Sequence, residues 1–204
     1  MEIMELPIGA SGQMSLYEET VRDWLENRTL VINEDIDENI IENYVLNIFK
    51  WNREDKHKPV AERTPIKIYI NSPGGDLVVA MHLCDAIAAS KTPIIAVGLG
   101  CVASAAFHIF ITCNERIAFK NTVLLMHDGQ MYVQNSSSKV KDTMKFYDSV
   151  DDRVKEHVLA HTKMSDDYYD DHYDQELYLY ADAAKELGIV DQIVGEDVDI
   201  DSLF

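Results

Sequence analysis

The sequence predicts an α/β domain built on a largely parallel sheet. Two short segments rich in β-branched residues, IKIYI from Ile66 and PIIAVG from Pro93, are each followed by a turn and then by an apolar run of helical length. Strand, crossover helix and strand in succession favour parallel pairing with right-handed connections. The 204 residues suit one domain, and a hydrophobic content of 47% is enough for a full core.

The elements of the first half follow one another in a regular order. LVINEDI, from Leu30, is typical of a strand, and the apolar residues after it recur at helical spacing, at Ile40, Ile41, Tyr44, Val45 and Ile48. The polar run 52–65 predicts a surface loop. The strand from Ile66 ends at the turn NSPGG, and LVVAMHLCDAIAAS, from Leu77, predicts a buried helix.

The second half repeats this pattern and then adds a long helix. PIIAVG predicts a strand, and the alanine-rich segment after Ser104 predicts another buried helix. RIAF and TVLLM predict two further strands. One apolar stripe at helical spacing then predicts a long amphipathic helix, through Val140, Met144, Tyr147, Val150, Val154 and Val158. We find no internal repeat and no linker, so we expect a single domain.

The charge of the chain excludes two classes of partner. Thirty-six acidic against 18 basic residues give a formal net charge of -18, which repels phosphate backbones and anionic lipid head groups. We therefore expect neither nucleic acid nor a membrane as partner. The uncharged stretch from Pro93 to Cys113 has the length of a membrane helix, but its proline and its glycines, Gly98 and Gly100, indicate a strand, a turn and a helix instead.

The cysteines and the N-terminus indicate a cytoplasmic protein. Cys84, Cys101 and Cys113 lie in apolar stretches without CxxC spacing, as is typical of reduced, buried thiols, and no histidine pair stands at ligand spacing beside them. We therefore expect no metal site. The N-terminus MEIMELPIGASGQM is acidic where a secretory signal would be basic, and no apolar core follows it.

Two strand-to-helix junctions carry residues suited to acyl transfer. Ser104 stands at the start of a predicted helix, where the N–H of Ala105 could stabilise negative charge beside a serine nucleophile. In the NSPGG turn, the adjacent Gly74 and Gly75 allow an amide to point outward at close range. Each motif also has a plainer interpretation, an N-cap serine and a tight turn. Val102 and Ala106 replace the glycines of a GxSxG elbow, which excludes an α/β-hydrolase.

His127, at the end of a predicted strand, is the candidate base. A serine hydroxyl needs such a base within hydrogen-bond reach, and the base usually has an acid that orients its ring. Asp128 is adjacent, but consecutive strand residues point to opposite faces. The acid-rich segment DDYYDDHYDQELYLY offers four other carboxylates, and spacing does not choose among them: Asp170, Asp171, Asp174 and Glu176.

Four motifs, in this order, resemble the proteolytic subunit of the ATP-dependent Clp protease and its phage-type relatives: YINSPGGDLVVAM, GLGCVASAAF, LLMHDG and YADAAKELGIVDQIV. The resemblance covers Leu30 to Val194. It implies a crotonase-like (ClpP-type) spiral of β-β-α units with a protruding handle helix at about 138–161. It further implies a serine protease domain over residues 29–195, flanked by an axial or flexible N-terminal segment, 1–28, and an acidic C-terminal tail, 196–204.

Carried over to this sequence, the resemblance implies a serine endopeptidase. Its nucleophile falls on Ser104, its base on His127, and its oxyanion-hole amides on Gly75 and Ala105. Counting back from Asp191 in the ADAAKELGIVD motif places the acid at Glu176, with Asp174 in reserve. His127 is followed by Asp-Gly where the family usually has Gln-Pro, and the stretch between serine and histidine is slightly shortened.

The resemblance also implies partners. These are other copies of the chain, in heptameric rings stacked as a tetradecamer, an AAA+ unfoldase ATPase, and peptides or unfolded proteins as substrates. The chain has no GxxxxGK[ST] motif, so we expect it to bind no cofactor and ATP to be used by the partner alone. Two alternatives stay open. One is a crotonase-fold acyl-CoA enzyme, which needs no Ser-His pair, and the other is a catalytically silent ring subunit.

Overall fold

A computed structural model describes residues 15–203 of the chain. In that part, seven strands form one sheet in the order β1-β2-β3-β4-β7, and β5 pairs with β3 and β6. All pairings are parallel except that of β5 with β6. The strands are β1 (Thr29–Ile32), β2 (Ile66–Ser72), β3 (Ile94–Ala103), β4 (Glu115–Phe119), β5 (Val123–Met126), β6 (Leu177–Tyr180) and β7 (Gln192–Val194).

Seven α-helices are interspersed with these strands in the described residues: α1 (Leu16–Glu26), α2 (Leu46–Glu54), α3 (Leu77–Ala89), α4 (Ala105–Thr112), α5 (Ser137–His161), α6 (Asp166–His172) and α7 (Ala181–Glu186). A π-helical turn, Ile41–Val45, leads directly into α2. The helix predicted at about 138–161 is therefore α5. No helix of residues 15–203 is long and apolar enough to cross a membrane.

The core lies between the sheet and the helices that cover one of its faces. Along β2, Ile66, Ile68 and Ile70 are fully buried, and the residues between them are partly exposed, as expected for a strand with two different faces. Helix α4 is buried on all sides, since it packs against α3, β2 and β3. Its apolar side chains, among them Phe107 and Phe110, account for the uncharged stretch seen in the sequence.

Strand β3 is longer than predicted, and this length creates the site. Its first half pairs with β4 and its second half pairs with β5, so one strand connects two parts of the sheet. At the carboxyl end of β3, Ala103 lies opposite Leu125 of β5. Ser104 and His127 follow these two strands directly, and they therefore lie at one edge of the sheet.

The strand predicted from Leu30 is shorter than LVINEDI. It ends at Ile32, and Ile36 makes an isolated bridge to Gly75 instead. Asn33–Asp35, which contains two acidic residues, is exposed and makes no further ladder pair with β2, whereas Ile36 is buried. Ile36 thus anchors the glycine turn after β2.

The flanking segments contain regular structure where the structure describes them. Residues 1–14 and 204 lie outside the described residues, so the predicted N-terminal segment 1–28 and tail 196–204 are seen only in part. Within the first, α1 begins with a capping box formed by Ser15 and Glu18. In the second, Ile200–Leu203 forms a 3-10 helix, and the carbonyl of Leu203 accepts hydrogen bonds from Lys67 Nζ and Tyr69 OH at 2.7 and 2.8 Å. Residues 200–203 therefore lie against the outer face of the sheet.

Candidate active site

Ser104 occupies a strained turn between β3 and α4. Its φ and ψ are 53° and -123°, a positive φ that non-glycine residues rarely adopt and that costs roughly 1–3 kcal/mol. Its N–H donates to the carbonyl of Leu125 at 2.9 Å, which ties the turn to β5. Ser104 is the N-cap residue of α4, but its side chain makes no capping hydrogen bond. The interpretation as a simple N-cap serine is therefore wrong.

His127 is held from one side by a carboxylate. Its Nδ1 lies 3.0 Å from Oε1 of Glu176, and its side chain is 18% exposed. Because the carboxylate can only accept, Nδ1 carries the hydrogen in this contact, and Nε2 is the acceptor of the neutral ring. Nε2 is buried and has no hydrogen-bond partner among residues 15–203. An unpartnered buried acceptor favours the approach of a donor such as a serine hydroxyl.

The antiparallel ladder between β5 and β6 explains why Glu176 is the acid that contacts His127. Its last pair is Met126 with Leu177, so the next residue on each side is His127 and Glu176. Of the other carboxylates considered, Asp128 and Asp174 are exposed and make no hydrogen bond with His127 in the described chain. The side chain of Asp170 pairs with Lys155 instead.

The glycine turn after β2 packs directly against the serine. A Cβ built on Gly74 would lie 2.6 Å from Cβ of Ser104 and 3.0 Å from N of Ala105, so no larger residue fits there. Gly74 and Gly75 have φ values of 104° and 148°, a region that favours glycine. Gly74 is therefore needed for the close approach of this turn to the serine, and Gly75 for its close approach to the backbone of Ile36.

Two amides near the serine remain available to a ligand. Around Gly75, the carbonyl of Gly74 accepts from Ile36 N–H and the N–H of Asp76 donates to Ile36, each at 2.8 Å. The N–H of Gly75 itself finds no acceptor within the described part of the chain. Ala105 is the first residue of α4, so its N–H has no intrahelical acceptor. Ala105 N lies 3.0 Å from the Cβ position of Gly74, the residue before Gly75, so the two donors belong to segments in contact.

The site residues predicted from the sequence lie at one edge of the sheet, but one expected contact between them is missing among residues 15–203. The Ser104 hydroxyl and the His127 ring make no hydrogen bond with each other in residues 15–203. Such bonds are often long in a site without substrate and tighten in the complex. The sequence analysis missed the Gly75 partner, Ile36, and it missed Tyr178, which lies beside Glu176 on β6. The alternation of leucine and tyrosine in LYLY could have predicted that Tyr178 lies on the exposed face of β6.

A second histidine, His108 of α4, lies behind the site. Burial lowers its pKa to about 3, with smaller contributions from the charges of His157 and His127. His108 is therefore neutral at pH 7, and its Nδ1 is buried without a partner among the described residues. No group of three or more histidine, cysteine, aspartate or glutamate residues within 15–203 could hold a metal ion.

Comparisons with known proteins bear on the family and the fold of this chain. The family model described as Clp protease matches residues 12–197. ATP-dependent Clp protease proteolytic subunit 2 of Treponema pallidum is 22% identical over 179 residues, 87% of each chain, and its namesake from Corynebacterium diphtheriae is 24% identical over 187 residues, 91% of each. Subunit 3 of Rhizobium johnstonii is 28% identical over 137 residues, 66% of this chain and 71% of the relative.

A solved structure shows the fold. A mutant of ClpP1 from Listeria monocytogenes superposes with a TM-score of 0.75 at 22% sequence identity, over 91% of this chain and 99% of that chain. The likeness confirms the ClpP-type α/β fold with a handle helix that the sequence motifs predict.

Proposed function

Because this chain belongs to the Clp protease family, we propose that it is a serine endopeptidase, which cleaves peptide bonds through an acyl-enzyme formed on Ser104. The observation that carries the proposal is the state of His127. Its Nδ1 contacts Glu176, and its buried Nε2 has no partner among residues 15–203. This is the arrangement that a general base needs beside a serine nucleophile.

In the first half of the reaction, His127 Nε2 takes the proton of the Ser104 hydroxyl as Oγ attacks the carbonyl carbon of the peptide. The N–H groups of Gly75 and Ala105 donate to the oxyanion of the tetrahedral intermediate. Glu176 stabilises the imidazolium and keeps its ring oriented. His127 then gives the proton to the leaving amine, the C–N bond breaks, and an ester on Ser104 remains.

In the second half, water replaces the amine. His127 Nε2 takes a proton from water, whose oxygen attacks the ester carbonyl over the same two amides. Collapse of this intermediate releases the carboxylic acid, and the Ser104 oxygen recovers its proton from His127. No step requires a metal or an organic cofactor.

The proposal includes the partners that the family resemblance implies. Copies of this chain would form stacked heptameric rings, and a separate AAA+ ATPase would unfold large substrates in the cytoplasm. The relatives' names support the second point, because they are called proteolytic subunits of an ATP-dependent protease. Sedimentation of the purified chain, with and without a candidate ATPase, tests both points.

Labelling by a fluorophosphonate probe at neutral pH tests the catalytic proposal. We expect one adduct, by intact mass, on the wild-type protein and none on Ser104→Ala. Ser136→Ala is the matched control, because Ser136 is exposed and makes no capping hydrogen bond at the start of α5. It should keep one adduct.

Other outcomes favour the alternatives. Ring assembly without an adduct on the wild-type protein would favour a silent ring subunit. Tight binding of an acyl-CoA by unlabelled protein would favour an acyl-CoA enzyme. An adduct that persists in Ser104→Ala would contradict the assignment of the nucleophile.

A further inference from the structure

Among residues 15–203, the carboxylate of Glu176 makes one hydrogen bond, with His127. Oε1 contacts His127, but the side chain is 56% exposed, so water competes for both oxygens. Ordering a glutamate side chain costs up to about 2 kcal/mol of rotamer entropy, and an exposed pair with a single contact gains little in return. A second hydrogen bond to the carboxylate would stabilise the orientation that His127 needs.

The geometry of β6 places one phenol on the correct face for this contact. Along LYLY, Leu177 and Leu179 are half-buried, whereas Tyr178 and Tyr180 are exposed. Glu176, which precedes β6, therefore shares a face with Tyr178, two residues further on. The N–H of Tyr178 donates to the carbonyl of Glu176 at 3.1 Å, a tight turn that draws the two residues together.

The position of Tyr178 on the face of Glu176 agrees with the electrostatics at the phenol. The negative charge of Glu176 is the largest cause of a raised pKa at Tyr178. The phenol therefore stays protonated at neutral pH and keeps an O–H to donate. A carboxylate can only accept, so the hydrogen bond has one direction.

We propose that Tyr178 is a positioning residue, whose phenol donates a hydrogen bond to Glu176 and thereby keeps the carboxylate against Nδ1 of His127. The inference rests on the proposed function, in which Glu176 orients His127. A glutamate side chain has one more rotatable bond than an aspartate. The hydrogen bond from Tyr178 would restrict this additional freedom of Glu176. No hydrogen bond joins the Tyr178 side chain to Ser104 or His127 in the described part of the chain, and Tyr178 acts through Glu176.

Tyr180 provides a matched control on the same strand. It lies on the same face as Tyr178 and is similarly exposed, 60% against 62%. It pairs with Val123 at the far end of the β5–β6 ladder, four residues from Glu176. Removing its hydroxyl changes the exposed phenol surface in the same way without affecting the carboxylate.

The test is the second-order rate of fluorophosphonate labelling as a function of pH. We expect Tyr178→Phe to lower the rate about 3- to 10-fold at neutral pH, the range expected for one net hydrogen bond. Tyr180→Phe should stay within about twofold of the wild-type rate. In a Glu176→Ala background, Tyr178→Phe should have no further effect, because the group through which it acts is gone.

The pH dependence of the labelling rate is a second measurement. A purely structural role of Tyr178 would not change it. We expect the pH dependence of labelling to change in Tyr178→Phe and to stay unchanged in Tyr180→Phe, because only the first variant removes a contact of the carboxylate that orients His127. Thermal unfolding of all variants controls for loss of folding.

Three results would overturn the proposal. An unchanged rate and pH profile in Tyr178→Phe, with a labelled wild-type protein, would contradict the role of Tyr178 and leave the proposed function intact. An equal loss with and without Glu176 would show that Tyr178 does not act through that residue. Absence of labelling on the wild-type protein would contradict the proposed function itself and, with it, this inference.

Discussion

Nδ1 of His127 lies 3.0 Å from Oε1 of Glu176, and the two residues occupy the positions immediately after the last pair of the β5–β6 ladder. Their contact is thus a consequence of strand register. A slip of one residue would turn either side chain to the other face of the sheet. It follows that the histidine and the acid, 49 residues apart in sequence, are held by the same backbone hydrogen bonds that pair the two strands.

We predict that Glu176→Gln lowers the rate of fluorophosphonate labelling and of peptide hydrolysis by about 10²- to 10⁴-fold. An amide keeps the size of the side chain, but it cannot stabilise the imidazolium and it allows the wrong tautomer of His127. Residual activity is expected, because Ser104 and the two amides remain. Kinetics on purified variants, at equal protein concentration, measure the effect.

Asp174→Asn is the matched control for Glu176→Gln. It removes the same charge two residues away, from an exposed side chain that makes no hydrogen bond with His127 among the described residues. Its rates should stay within about twofold of wild type. The reverse pattern, with Asp174→Asn impaired and Glu176→Gln active, would assign the acid to the reserve candidate.

We predict that Gly74→Ala abolishes labelling and destabilises the fold. The new Cβ would lie 2.6 Å from Ser104 Cβ and 2.7 Å from the carbonyl oxygen of Ala103, at a φ of 104°. Since backbone atoms lie on the other side of the contact, the glycine turn or the serine must move. Urea unfolding should show a loss above the roughly 1–2 kcal/mol that positive φ alone costs.

Gly195→Ala is the control that distinguishes the cost of a positive φ from the cost of the steric clash at Gly74. Gly195 has a φ of 85°, but a Cβ there would meet no heavy atom within 4 Å. We expect it to lose about 1–2 kcal/mol of unfolding free energy and to keep wild-type labelling. Full labelling of Gly74→Ala would contradict the prediction that the contact between Gly74 and Ser104 is required for the reactivity of the serine.

We predict that His108→Gln weakens the pH dependence of stability below pH 6.5. The unfolded histidine takes up a proton near pH 6.5, whereas the buried native ring, with a pKa of about 3, does not. Its contribution to stability is therefore fully present above pH 6.5 and is lost as the pH falls. Between pH 6.5 and 5 the wild-type loss from this group is about 1.6 kcal/mol, and its slope approaches about 1.4 kcal/mol per pH unit at the lower end of that range.

Urea unfolding at fixed protein concentration, at pH 5.0 to 7.5, measures this difference. His157 also faces His108, and burial lowers its pKa as well, so both proteins should retain some pH dependence. His57→Gln, on an exposed loop, should keep the wild-type slope. An identical slope in His108→Gln would contradict a neutral, buried His108.

Much of the fold and part of the site could be predicted from the sequence. Ser104, His127 and the glycine pair lie next to strands or turns with strong local patterns, so their places in the chain followed from periodicity and turn chemistry. The position of the acid did not follow from such local patterns. Four carboxylates lie within seven residues, and only the register of β6 brings Glu176 to His127. The roles assigned to these residues stay predictions until labelling tests them.

Some features depend on contacts that no local pattern encodes. The positive φ of Ser104 follows from its hydrogen bond to Leu125 and from the close approach of Gly74. The bridge between Ile36 and Gly75 joins segments separated by a whole helix and strand. The burial of Leu203 against the outer face of the sheet likewise depends on Lys67 and Tyr69, more than 130 residues earlier.

By itself, the sequence determined the α/β class and the strand-to-helix junctions, because hydrophobic periodicity and turn residues act over a few neighbouring positions. The resemblance of its motifs to the Clp protease family supplied Ser104, His127 and Glu176 as site candidates. The tertiary structure alone decided which carboxylate contacts His127, which side of β6 presents Tyr178, and how closely the glycine turn approaches Ser104. These are distances between segments far apart in the chain. Strand register and side-chain packing set them, and both form only when the whole domain folds.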